Sequence, residues 1–301
     1  MKSIKKVKII KVGKYKPIKT NNELIFDIGL AILRPFLSFF VIVTHCFDMH
    51  YAINAKGKRG IWTILYLKSR RLYFHIPTFF LMSFYFTQKT LSSSNYKKKF
   101  KRFERLCIPY FLWPIIIYFL NKLLIKYSIT QNVITKQDLK IQLLYGGGNM
   151  YLNVMWYQWD LIFLTICFNL IIFIFRKHYN FVLIIIAITC YIYQYNGKNV
   201  LYFDKYKDNR HYIYGRVMEM TPLSVIGFLI SSSGIINYFK KSRLEVIITC
   251  TYLLYFLYNY QIFNDARGYD YSGMLLFFTP ICIFFTFAMF PSEKLNYWVQ
   301  K

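Results

Sequence analysis

The sequence predicts an all-α, polytopic integral membrane helix bundle of about eight transmembrane helices, and three observations carry that reading. Several apolar runs approach 20 residues, the length a helix needs to cross the hydrocarbon core of a bilayer. Of the 301 residues 56% are hydrophobic, and the mean hydropathy is +0.30. The lysines and arginines behind the net charge of +26 gather between the apolar runs. That placement is a topology signal of membrane proteins and not the footprint of a nucleic-acid binder.

Residues 1–27 form a basic N-terminal segment, with eight lysines and no acid before residue 23. Such charge places this end in the cytoplasm, beside anionic lipid. The membrane unit is expected over 28–290, followed by a short tail, 291–301. No A-x-A-like cleavage site follows the first apolar run, 28–47, so it reads as a retained helix and not a removed signal peptide. Pro35 kinks it or marks a break. Arg34 and His45 stand eleven positions apart in this run, close to three turns, so they share nearly one face about 16 Å apart along the axis. Titratable groups in an apolar run usually face a bundle interior or a water-filled cavity. The plainer alternative makes Arg34 an interfacial anchor and His45 a hydrogen-bonded core residue.

A second run covers 72–87. The basic block 97–105 comes next, then a third helix over 106–125. A polar loop containing Gly146, Gly147 and Gly148 leads to Trp156-Tyr157-Gln158-Trp159-Asp160, whose amphipathic rings suit a membrane interface. The glycines lack a following Gly-Lys-Ser/Thr, so they read as a flexible connection and not a phosphate loop. A fourth helix ends near Phe175, Arg176-Lys177-His178 forms a basic turn, and a fifth helix covers 181–195. A mixed-charge loop reaches His211, and helices follow at 214–236, 246–263 and 274–290, with Lys240, Lys241 and Arg243 in the turn between the sixth and seventh. Eight spans put both termini in the cytoplasm, and the basic turns after the second, fourth and sixth helices agree. Lys56, Lys58, Arg59, Lys68, Arg70 and Arg71 oppose it from the first external loop.

The six cysteines (46, 107, 167, 190, 250, 282) lie in or beside apolar runs without CxxC or Cys/His spacing. They read as small apolar residues of buried helices, which argues against disulfides and a metal site. Asp160 reads as an unpaired acid at a span start, placed by the interface or by contact with substrate. Arg216 and Glu219 are spaced for an intrahelical ion pair. His50, His75, His178 and His211 read as bystanders.

Taken in order, these residues resemble the acyltransferase-3 family of integral membrane O-acyltransferases. Arg34 and His45 match its Arg/Lys-x10-His signature, and Arg102-Phe103-Glu104-Arg105 matches its Arg-x-x-Arg signature, followed by Ile108-Pro109-Tyr110. The stretch 76–83 is similar to the family's second-helix segment, 155–159 to the tryptophan-led start of a central helix, and 221–227 to a later Pro-to-Gly stretch. Phe84 stands where the family usually has glycine. The family typically has about ten helices and this chain eight, so a shortened member or a truncated, inactive relative is expected.

The resemblance implies transfer of an acyl group, most often acetyl, from acyl-CoA to a hydroxyl of a cell-surface glycan, a lipid-linked sugar or a related acceptor. It implies a multi-pass protein of the plasma or inner membrane. It also implies His45 as general base with Arg34 in support, because imidazole accepts and releases a proton near neutral pH. Asp48, three positions on, either fixes the imidazole tautomer or sits solvated at the helix end. Cys46 points about 100° away from His45, so no Cys-His pair is implied. Arg102 and Arg105, at i and i+3, are implied to hold the donor's phosphates through their planar forks, whereas Lys97 to Lys101 suit anionic headgroups. The rival class is a non-enzymatic transporter, but matched halves with broken helices, its usual mark, are not evident.

Overall fold

The computed structural model describes residues 21–46, 74–131, 133–146, 156–196, 209–263 and 274–289. These form helices and turns, with no strand among the described residues. The helices are α1 (Asn21–Cys46), α2 (His75–Leu91), α3 (Tyr96–Lys126), α4 (Lys136–Tyr145), α5 (Trp156–Phe175), α6 (Tyr179–Asn196), α7 (Asn209–Ser233), the short α8 (Ile235–Phe239), α9 (Arg243–Phe263) and α10 (Met274–Met289).

All but α4 and α8 coincide with the eight apolar runs. By length and composition, Tyr96–Lys126 and Trp156–Tyr193 are long and apolar enough to cross a membrane. A third stretch joins them if Gly215–Ser233 and Ile235–Asn259, bent by 71° at their break, count as one span.

Two differences from the sequence expectation matter. The third helix begins at Tyr96 and not at 106: the basic block forms its first turns, started by Asn95, whose side chain accepts from Lys98 N at 3.2 Å. And the polar loop after α3 contains α4. Thr135 and Asp138 cap its N-terminus reciprocally, and Gly146 ends it at φ 66°. This left-handed conformation suits glycine. The Asn121 side chain accepts from Ile134 N at 2.9 Å, and the Tyr110 hydroxyl donates to the Gln142 carbonyl. Because Ile134 lies opposite Asn121 and Gln142 opposite Tyr110, α4 runs back along α3.

The core has two parts that share α2 and α7. Leu30, Leu33 and Leu37, one helical stripe of α1, pack with Leu81, Leu223 and Phe284. Phe80, Phe84, Leu161, Phe168, Leu183 and Phe228 form the other part. Phe84, in the family's glycine position, is buried with its ring 4.3 Å from that of Phe168. The Phe228 ring lies 5.6 Å from Phe168 and 6.0 Å from Tyr179, so α5 and α6 both line α7.

Glycine sets how closely α7 approaches α2. A Cβ on Gly227 would fall on the Leu81 carbonyl, well inside van der Waals contact. Small residues that let backbones approach are how membrane helices gain packing without a hydrophobic drive.

Candidate active site

On α1 the Arg34 guanidinium lies over the Phe86 ring, 4.7 Å from its centroid. On α3 Arg102 donates from Nη2 to the Ser83 carbonyl of α2 at 3.3 Å. Arg34 and Arg105 both lie near enough to Arg102 to repel its charge. Three arginines from α1 and α3 thus gather beside the C-terminal half of α2, with Arg34 and Arg105 exposed and Arg102 half-buried. Arg102 Nε is buried and has no hydrogen-bond partner. Like charges so arranged repel, and the repulsion is removed when an anion enters.

The sequence pairs Arg102 with Arg105 by spacing, and the fold adds Arg34 to them. His45 lies on the last turn of α1; its side chain, like Asp48 and His50, is outside the described residues. The direction of α1 is nevertheless defined. Arg34 meets Phe86, while Phe40, six residues on, has its ring 5.1 Å from Phe74. The helix therefore leaves the arginines and carries His45 toward the N-terminal end of α2.

A second polar group lies farther along α3. Gln158, in the first turn of α5, donates to the Leu106 carbonyl at 3.0 Å, one turn past Arg102. One residue pair beyond, Asp160 Oδ1 accepts from Arg216 Nη2 at 3.0 Å, with the two side chains 0% and 4% exposed. The sequence reading of Asp160 as an unpaired acid is thus corrected: it forms a buried ion pair across α5 and α7. Removing a carboxylate and a guanidinium from water is costly unless they find each other. Arg216 also donates to the Tyr145 carbonyl at 3.3 Å and lies 5.0 Å from the Trp156 ring centroid. The C-terminus of α4 is thereby tied to the bundle. Sequence spacing could not pair residues on separate helices, but an acid in one apolar run and an arginine in another were its signal. His75 is buried at the start of α2. Among the described residues no three His, Cys, Asp or Glu side chains are grouped to hold a metal ion.

No curated protein and no solved structure matches the chain significantly. The family model for the acyltransferase domain of acyltransferase-3 proteins matches residues 27–301, most of the chain. With its apolar helices, the chain therefore belongs to the acyltransferase-3 family and is a membrane acyltransferase, helical throughout the described secondary structure.

Proposed function

We propose that the protein moves an acetyl group from acetyl-CoA to a hydroxyl of a cell-surface glycan or lipid-linked sugar. Arg34, Arg102 and Arg105 hold the donor's phosphates. The observation that carries this reading is Arg102: half-buried, flanked by two like charges, with Nε lacking a partner. A nucleotide donor with several phosphates supplies the acceptors and negative charge that such a cluster lacks, and arginine binds phosphate through paired N–H donors. Eight spans with both termini cytoplasmic present this end of the bundle to the cytoplasm, where acyl-CoA is found.

His45 is the general base in this reading. Its imidazole takes the acceptor's hydroxyl proton as that oxygen attacks the thioester carbonyl carbon. The tetrahedral intermediate collapses, the C–S bond breaks, and the proton passes from imidazolium to the departing thiolate. The products are an O-acetyl ester and free CoA. Arg34, on the same helix, belongs to the donor end and aligns the thioester toward His45.

The test uses the full chain in nanodiscs. Acetyl-CoA should raise its thermal midpoint, labelled acetyl should appear on membrane glycans, and Arg102→Ala should weaken both. If wild type neither binds acetyl-CoA nor transfers label, the reading fails.

A further inference from the structure

We propose that Gln142, Asp160 and Arg216 form a binding site for a sugar hydroxyl pair, separate from the arginine cluster. This rests on the transferase reading and names the residues that take its acceptor.

The argument starts from unmet hydrogen bonds. Gln142 is 0% exposed, and neither its Nε2 nor its Oε1 has a partner. Asp160 is also 0% exposed; Oδ1 is held by Arg216 and Oδ2 has none. Each buried polar atom left unpaired costs about 1–3 kcal/mol, and folded proteins rarely leave one so without a reason. Here there are three, one amide donor group and two acceptors. A vicinal diol offers the complement, since each hydroxyl gives one donor and accepts through its lone pairs.

The surroundings hold the segments that carry these atoms close together. The Tyr110 hydroxyl bonds to the Gln142 and Leu143 carbonyls, and it lies within electrostatic reach of both Arg216 and Asp160. Arg216 is held by the Tyr145 carbonyl and covered by Trp156. Gly146 closes the end of α4 so tightly that a Cβ would come 2.7 Å from Trp159 Cβ. Two tryptophans therefore border the cluster and can report on its occupancy. The site also lies on the correct side: α5 begins one turn past Arg102, toward the end of α2 to which α1 carries His45.

The experiment reads tryptophan emission of the full chain in nanodiscs against methyl α-glucoside, methyl β-galactoside and methyl β-N-acetylglucosaminide. At least one glycoside should change wild-type emission saturably. Gln142→Leu should weaken that response about tenfold, the worth of one lost hydrogen bond. The same variant should unfold at an equal or higher temperature, because it removes two unpaired polar atoms. Emission unchanged by every glycoside, or changed equally in wild type and Gln142→Leu, overturns the proposal. Protection by acetyl-CoA, measured on the same samples, reads the arginine cluster alone. Its absence would sink the donor assignment while the glycoside response still decides this site.

Discussion

Arg34 and Arg102 reach one side of α2 from different helices and repel each other there, with Arg34 over the Phe86 ring and Arg102 on the Ser83 carbonyl. Such an arrangement is unfavourable in the free protein and favourable with an anion bound. Relief of repulsion is therefore a measurable property of the arginine cluster. Arg34→Ala should leave the thermal midpoint without donor equal or higher, while raising the KM for acetyl-CoA, a defect that eases at high donor. A lower midpoint without donor would show that Arg34 is structural.

Arg102 makes the sharper prediction. Arg102→Ala should weaken acetyl-CoA binding about tenfold to a hundredfold, the range for a lost charge-assisted hydrogen bond. Arg102→Lys should recover only part, since an ammonium cannot make the paired contact. Lys97→Ala and Lys98→Ala, exposed on the first turn of α3, should matter much less. Equal losses at all of these positions would point to a diffuse electrostatic anchor, read out as binding against ionic strength.

The pair Asp160–Arg216 predicts a non-additive pattern. Asp160→Ala takes the Asp160 carboxylate from a buried Arg216 and should destabilise by about 3–5 kcal/mol. The double variant Asp160→Ala/Arg216→Met removes both charges and should be markedly more stable than Asp160→Ala alone. Denaturation of the four proteins in detergent gives the cycle, and additive losses would mean that the two side chains are not coupled.

Packing between α2 and α7 gives a prediction independent of chemistry. A methyl at Gly227 meets the Leu81 backbone carbonyl, which cannot swing away as a side chain would. Gly227→Ala should therefore cost about 1–3 kcal/mol, as overpacking does. Ser232→Ala, exposed near the end of α7, should be neutral in the same unfolding assay.

Legibility followed the range of the interactions. The eight long helices were readable because each apolar run is itself the cause of its helix in lipid. Arg102 and Arg105 were readable as neighbours because helical spacing alone puts them on one face. Arg34 joining them was not, since that depends on how α1 and α3 pack against α2. The start of α3 was placed at 106 because the apolar run begins there, although Asn95 was there to cap an earlier start. Helix α4 was missed because Lys136–Tyr145 is short and only half apolar, and its signal was only the spacing of Thr135 and Asp138. Asp160 and Arg216 lie 56 positions apart, a separation that no local pattern spans.

His45 carries the last prediction. It sits on the last turn of α1, eleven residues after Arg34, on the helix that leaves the arginine cluster. In the proposed mechanism a base there meets the thioester end of a donor whose phosphates are held three turns back. His45→Ala should insert and fold near normally, because shortening a polar side chain does not hinder a helix in lipid. It should bind acetyl-CoA as wild type does, with the same rise in thermal midpoint. Transfer of labelled acetyl should nevertheless fall roughly 10²- to 10⁴-fold, the usual loss for a positioned general base. His45→Gln keeps hydrogen bonding but cannot shuttle the proton, so it should be as slow as His45→Ala. The measurement is transfer rate at saturating donor and equal protein level, beside acetyl-CoA protection of each variant. Transfer at the wild-type rate in either variant would remove His45 from the mechanism, and lost protection with slow transfer would move it into the donor site instead.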